Sequence, residues 1–194
     1  VEPTHPILFL PWNANQFVML SQKDGYAHLY LFNKDGKQIK QITKGNWVVM
    51  DVLGFNEKAK SIIYVSNECS PIQRNTWSVN VENGTRTLLD NGRGYHYATL
   101  SGGGNYLVDN YTEPTVPRKI DITTIGAKPT IKNWLTAKNP WDGYNIPEFS
   151  SGSLKADDGT TDLYWRMVKP IGFDPSKKYP TVVYVYGGPH AHNV

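Results

Sequence analysis

Phe17-Val18-Met19-Leu20, Ile62-Ile63-Tyr64-Val65 and Tyr106-Leu107-Val108 are three similar apolar runs whose starts lie 45 and 44 residues apart. After each comes a polar excursion and a second strand-like segment, at 27–32, 76–81 and 118–122, then a third ending near Thr43, Leu89 and Trp134. An inner strand precedes each trio, at 6–10, 47–53 and 95–100. Four strands in roughly 45 residues is the length of one propeller blade. The turns joining the second and third segments of the first two units are Asp35-Gly36 and Asn83-Gly84, pairs that tolerate the positive φ of a tight hairpin. An ordinary antiparallel sandwich also spaces its strands evenly, but a trio that recurs three times in register favours blades. Three fit between about Thr4 and Trp134, and a ring typically needs four to eight. Three blades would leave open sheet faces, so the remainder of a larger polypeptide is expected to complete the ring.

Beyond Trp134 the pattern changes. Leu135 to Tyr144 reads as a polar-aromatic connector with a helical turn or two, broken by Pro140. Two alternating segments at 148–156 and 161–170 flank Asp158-Gly159 and predict a hairpin. Thr181-Val182-Val183-Tyr184-Val185-Tyr186 is an unbroken β-branched and aromatic run, which predicts a strand buried on both faces of an α/β sheet.

The composition narrows the function classes. Twenty basic and 17 acidic side chains leave a net charge of only +3, and no Lys/Arg run exceeds Lys177-Lys178, so the footprint of a nucleic-acid binder is missing. No stretch approaches the ~20 apolar residues of a membrane-spanning helix, and the residues from Val1 to the first strand do not show a signal-type charged and apolar pattern. Cys69 is the sole cysteine, which excludes an intrachain disulfide and a cysteine metal cluster. The triplets Asn83-Gly84-Thr85 and Asn110-Tyr111-Thr112 fit the glycosylation pattern, but such triplets arise often by chance.

Tyr179-Pro180-Thr181-Val182-Val183-Tyr184-Val185-Tyr186-Gly187-Gly188-Pro189-His190 closely resembles the third hydrolase strand and following turn of the prolyl oligopeptidase family, within it the dipeptidyl peptidase IV-like serine peptidases. Upstream, Gly25-Tyr26-Ala27-His28, Ile42-Thr43-Lys44-Gly45-Asn46-Trp47, and Tyr64-Val65-Ser66-Asn67-Glu68 with Arg74-Asn75 resemble the last propeller blades of the same peptidases, in the same order. The expected fold is therefore mainly β. It consists of three four-stranded antiparallel β-propeller blades of a larger propeller over residues 1–135, then a linker and the first strands of an α/β-hydrolase domain over 136–194. The resemblance implies a serine-type peptidase that releases N-terminal dipeptides after a penultimate Pro or Ala. It also implies no cofactor, a periplasmic or otherwise exported parent, and leaves a homodimeric parent open. His192 departs from the glutamine common after the Gly-Gly-Pro-His-Ala string.

Tyr186 is the one catalytic candidate. In the resembling enzymes the tyrosine before this turn donates its hydroxyl to the tetrahedral intermediate, a task for a donor that keeps its proton at neutral pH, as a phenol of ordinary pKa ~10 does. Without the resemblance, Tyr186 would read as a packed strand-end aromatic. Gly187 and Gly188 supply backbone freedom and Pro189 stiffens the turn. His190 and His192 form a His-x-His pair without nearby Cys or carboxylate, a weak metal site. His28 and His96 lie in strands between tyrosines and read as satisfied core or edge residues. Asp24, Asp35, Asp157 and Asp158 sit at glycine turns, where short carboxylates accept backbone N–H groups. Trp12, Trp47, Trp77 and Trp165 are expected to pack between blades or domains.

No Gly-x-Ser-x-Gly elbow occurs in the chain, so these 194 residues are expected to be inert by themselves. Two other readings compete: a propeller module that binds peptides or proteins and carries a vestigial hydrolase tail, and a self-standing protein that assembles through its blade edges.

Overall fold

The computed structural model describes residues 6–186, which fall into two compact units: 6–113 with 117–137, and 114–116 with 138–186. In the first unit, strands β1 (Leu8–Leu10), β2 (Asn13–Ser21), β3 (His28–Asn33) and β4 (Gln38–Gln41) form blade 1. Blade 2 holds β5 (Val49–Asn56), β6 (Ser61–Ser66), β7 (Asn75–Asn80) and β8 (Arg86–Leu88). Blade 3 holds β9 (Tyr95–Leu100), β10 (Tyr106–Glu113), β11 (Val116–Thr124) and β12 (Thr130–Thr136). Each is an antiparallel meander in sequence order, as the 45-residue repeat predicts.

Blade 2 is covered on both sides, and its sequence shows why. Every residue of β6 is buried. Because side chains alternate across a strand, Ile62 and Tyr64 join Val79 in a core with Leu10, Val18, Leu29 and Leu31 of blade 1. Ile63 points the other way, to Leu89 and to Leu107 of blade 3. A run apolar at every position is what a doubly covered strand requires, and each such side chain stabilises by about 1.5–3 kcal/mol. In β10 only alternate residues are buried: Leu107, Asp109 and Tyr111 lie inward, while Tyr106 and Val108 face solvent.

The hairpin chemistry repeats between blades. Asn33 Oδ1 accepts from the amides of Asp35 and Lys37, and Asn80 Oδ1 accepts from those of Glu82 and Asn83. Gly36 and Gly84 follow at φ 80° and 76°. Blades 2 and 3 are joined by a parallel bridge between Arg74 and Tyr95. A second tie is the turn between β9 and β10, where Asn56 Nδ2 donates to the carbonyl of Gly104 at 2.8 Å.

The second unit contains the expected hairpin, β13 (Glu148–Lys155) paired in unbroken register with β14 (Asp162–Lys169). Trp165 lies across Gly152, 2.6 Å from where a Cβ would stand, so its ring covers the opposite strand, while Trp12, Trp47 and Trp77 pack on the core between blades 1 and 2. Two expectations are corrected. The connector at 135–144 forms no helical turn: β12 extends to Thr136, and 140–143 are non-helical turns in which the amides of Asp142 and Tyr144 bond back to Asn139 and Trp141. Pro140 lacks an N–H and Gly143 sits at φ 86°, which together prevent helical propagation. Thr181 to Tyr186 belongs to no sheet among the described residues, and Val182 to Tyr186 are 58–95% exposed. Such a run needs a ladder partner for its backbone groups and a cover for both faces. Likewise the described part of the second unit is a hairpin with irregular chain, not an α/β sheet.

Candidate functional site

Tyr186 is the last described residue, at the end of the segment 181–186 that joins no sheet among the described residues, and the residue is 58% exposed. Gly187, Gly188, Pro189, His190 and His192 lie outside the described residues.

Of the turn aspartates, Asp158 accepts backbone N–H groups as its position predicts, while the carboxylates of Asp24 and Asp35 take side-chain donors. Asp158 accepts from the amides of Thr160 and Thr161, both at 2.8 Å, and from the Thr161 hydroxyl at 2.5 Å. The hydroxyl contact leads in holding the carboxyl down at about 2. Asp24 accepts the Tyr30 hydroxyl at 2.6 Å. Burial, followed by that carboxylate, pushes the Tyr30 phenol up to about 12. Asp35 accepts from Asn33 Nδ2, and Asp157 lies in the turn of Asp158.

Both strand histidines are buried, and they differ in chemistry. His28 Nε2 donates to the Gly45 carbonyl at 2.9 Å, its Nδ1 lies 3.1 Å from the Thr43 hydroxyl, and Trp47 meets its ring edge-on at 4.7 Å. Thr43 also takes the Leu29 amide, so its own proton is free for Nδ1 and a neutral ring is satisfied. His96 instead faces acceptors on both sides: Asp109 Oδ2 from Nδ1 and the Arg93 carbonyl from Nε2, each at 2.6 Å. Asp90 Oδ2 stands 3.8 Å from Nδ1. With both ring nitrogens engaged, His96 has no free lone pair with which to activate a nucleophile.

Sequence reading passed over Asp90 and Asp109. Asp109 had a signal, because it sits two residues after Leu107 and therefore on the inward parity of β10. Asp90 follows β8 in a turn-like stretch, where its burial has no local signature.

The Tyr64-to-Glu68 string builds a third cluster, between blades 1 and 2. Tyr64 and Trp77 are cross-strand partners and Trp47 stacks on Tyr64. The Arg86 guanidinium lies 5.6 and 6.0 Å from the Trp47 and Trp77 ring centres and pairs with Glu68. Burial raises the Tyr64 phenol well above its ordinary value, helped by the Glu68 charge. Burial also raises Glu68, against the pull of Arg86. Among the described residues no group of three or more His, Cys, Asp or Glu is arranged to hold a metal ion, and no helix is long and apolar enough to cross a membrane.

Residues 1–118 match the family model of the dipeptidyl peptidase IV (DPP IV) N-terminal region. The chain belongs to the dipeptidyl peptidase IV family. Dipeptidyl peptidase 4 of Trichophyton equinum is 32% identical over 184 residues, 92% of this chain and 24% of that protein. The crystal structure of a Bacteroides ovatus protein described as a dipeptidyl aminopeptidase IV superposes with a TM-score of 0.87 at 42% identity, over 99% of this chain and 30% of that one. Porphyromonas gingivalis dipeptidyl peptidase 4 gives 0.78 at 29% identity, over 90% and 24%. The chain thus spans about a quarter of the length of its curated dipeptidyl peptidase relatives. The meanders of the first unit are consistent with a β-propeller-like N-terminal region of that family, and the resembling string Tyr64 to Glu68 lies in a buried blade contact.

Proposed function

We propose that the chain is an internal part of a serine-type dipeptidyl peptidase, in which the last propeller blades run into the first strands of an α/β-hydrolase domain. The substrates would be peptides with Pro or Ala as the second residue, and an exported location goes with this reading. The observation that carries it is the reach of the similarity. The match to the N-terminal region ends at residue 118, while the likeness to whole peptidases continues over 184 residues, 92% of the chain. Residues 148–186 then belong to the stretch where propeller gives way to hydrolase.

In this reading Tyr186 supplies the oxyanion donor. Its hydroxyl meets the negative oxygen that develops when a serine attacks the scissile carbonyl, an interaction absent from the ground state and therefore expressed in turnover. In the full-length enzyme, Tyr186→Phe should lower kcat on a glycyl-prolyl chromogenic substrate by about a hundred- to a thousandfold with KM nearly unchanged. Wild-type turnover in that variant would remove Tyr186 from the mechanism.

A further inference from the structure

We propose that the proton held among His96 and the buried carboxylates of Asp90 and Asp109 fastens blade 2 to blade 3, so that this junction loosens when the cluster loses it. His96 lies on β9 and Asp109 on β10, both in blade 3. Asp90 follows the last strand of blade 2, where Asn75 Nδ2 at 3.0 Å, the Thr76 amide at 2.5 Å and the Gly92 amide at 2.8 Å hold it. The side chains of His96 and Asp90 are wholly buried and that of Asp109 is 3% exposed.

A carbonyl oxygen only accepts, so His96 Nε2 carries a hydrogen toward Arg93. A second proton must then lie between Nδ1 and Asp109 Oδ2 at 2.6 Å, because a ring lone pair and a carboxylate oxygen cannot share that distance without one. Whether it rests on nitrogen or oxygen, the cluster holds one proton more than a neutral imidazole and two carboxylates. Without it, two buried carboxylates stand beside the same Nδ1 of a neutral ring, and neither has a compensating cation.

The surroundings do not supply one. Tyr111 stacks on the imidazole at 4.9 Å, with Lys119 Nζ 5.9 Å from the tyrosine ring centre. Arg93 turns its guanidinium to Glu113 at 2.9 Å. Arg74, from the loop between β6 and β7, spends its Nε on the His96 carbonyl at 3.1 Å and lies over Tyr95 and Tyr97. Burial, followed by the Asp90 charge, raises the Cys69 thiol.

Burial draws the imidazole down. The Asp109 hydrogen bond and the charges of Asp90 and Asp109 outweigh it, and His96 titrates above its ordinary value. A raised imidazole gives stability that is fully present below about pH 6.5 and is lost as pH rises through the folded value. Asp90 is itself raised, by burial first, so it too costs stability as pH rises from about 4 through its folded value.

The experiment follows Tm and amide exchange between about pH 6 and about pH 9, with ring nitrogen shifts of ¹⁵N-histidine. The wild-type Tm should fall by roughly 5 °C or more. Amides of residues 90–100 should gain exchange beyond its intrinsic rise with pH, as the His96 ring titrates. Asp109→Asn keeps the shape, removes one carboxylate and should flatten the slope. If that variant does not fold, the wild-type ring titration decides. A wild-type slope retained in Asp109→Asn, or a His96 ring that titrates with no change in neighbouring exchange, would overturn the proposal.

Discussion

Arg86 shows how one long side chain serves two surfaces. Its planar head lies against two indoles while one N–H engages Glu68, a combination open to guanidinium and closed to a flexible ammonium. Glu68 has only 14% of its side chain exposed, so removing the cation would leave a largely buried carboxylate alone. Arg86→Ala should destabilise the first unit by about 1–3 kcal/mol, and Arg86→Lys should recover little of that, as read from denaturant unfolding. Asp158 makes the opposite case at a fully solvated turn. Its depressed carboxyl gives order that is present above about pH 4 and is lost as pH falls toward about 2. Exchange at the Thr160 and Thr161 amides should rise in that window, and Asp158→Ala should show fast exchange at every pH.

At the scale of elements, the close approach of the β9–β10 turn to β5 sets a requirement on one glycine. Gly104 stands at φ 68°, and a Cβ there would lie 2.1 Å from the Phe55 carbonyl oxygen. Gly104→Ala should therefore cost about 1–3 kcal/mol through both strain and displacement, whereas Gly84→Ala, with open space at its Cβ position, should cost less. Denaturant midpoints of the two variants separate these outcomes. The same contrast shows what a sequence displays. Asp35-Gly36 and Asn83-Gly84 are legible because a turn's chemistry is local. The need for glycine at 104 comes from a strand some 48 residues away. The strands of all three blades were legible from alternation and repeat, and so was the β13–β14 hairpin. Thr181 to Tyr186 was not, since β-branched composition states a preference and only a neighbouring strand can satisfy it. His96 was legible as a core or edge residue and Asp109 had its inward parity as a signal, but Asp90 was not legible, because it reaches the ring from another blade.

For the whole molecule, the burial pattern ranks the strands. β6 is buried throughout and β12 is exposed throughout. Amide exchange should be slowest in β6 and β7, and fastest in β12 and the second unit. The 194-residue chain, lacking a serine elbow, should release no dipeptide from a glycyl-prolyl chromogenic substrate. Turnover that a serine-directed phosphonate abolishes would refute this.

Blade 2 shares one core with blade 1 and another with blade 3. These three sheets therefore behave thermodynamically as links in a row, each coupled to its immediate neighbours, as in a repeat array. Melting would begin at an outer link and move inward, giving a broad transition. Its van't Hoff enthalpy should fall below the calorimetric one. A substitution in blade 3, whose outer strand is exposed, should shift an early portion of that transition, while one in the shared middle sheet should shift all of it.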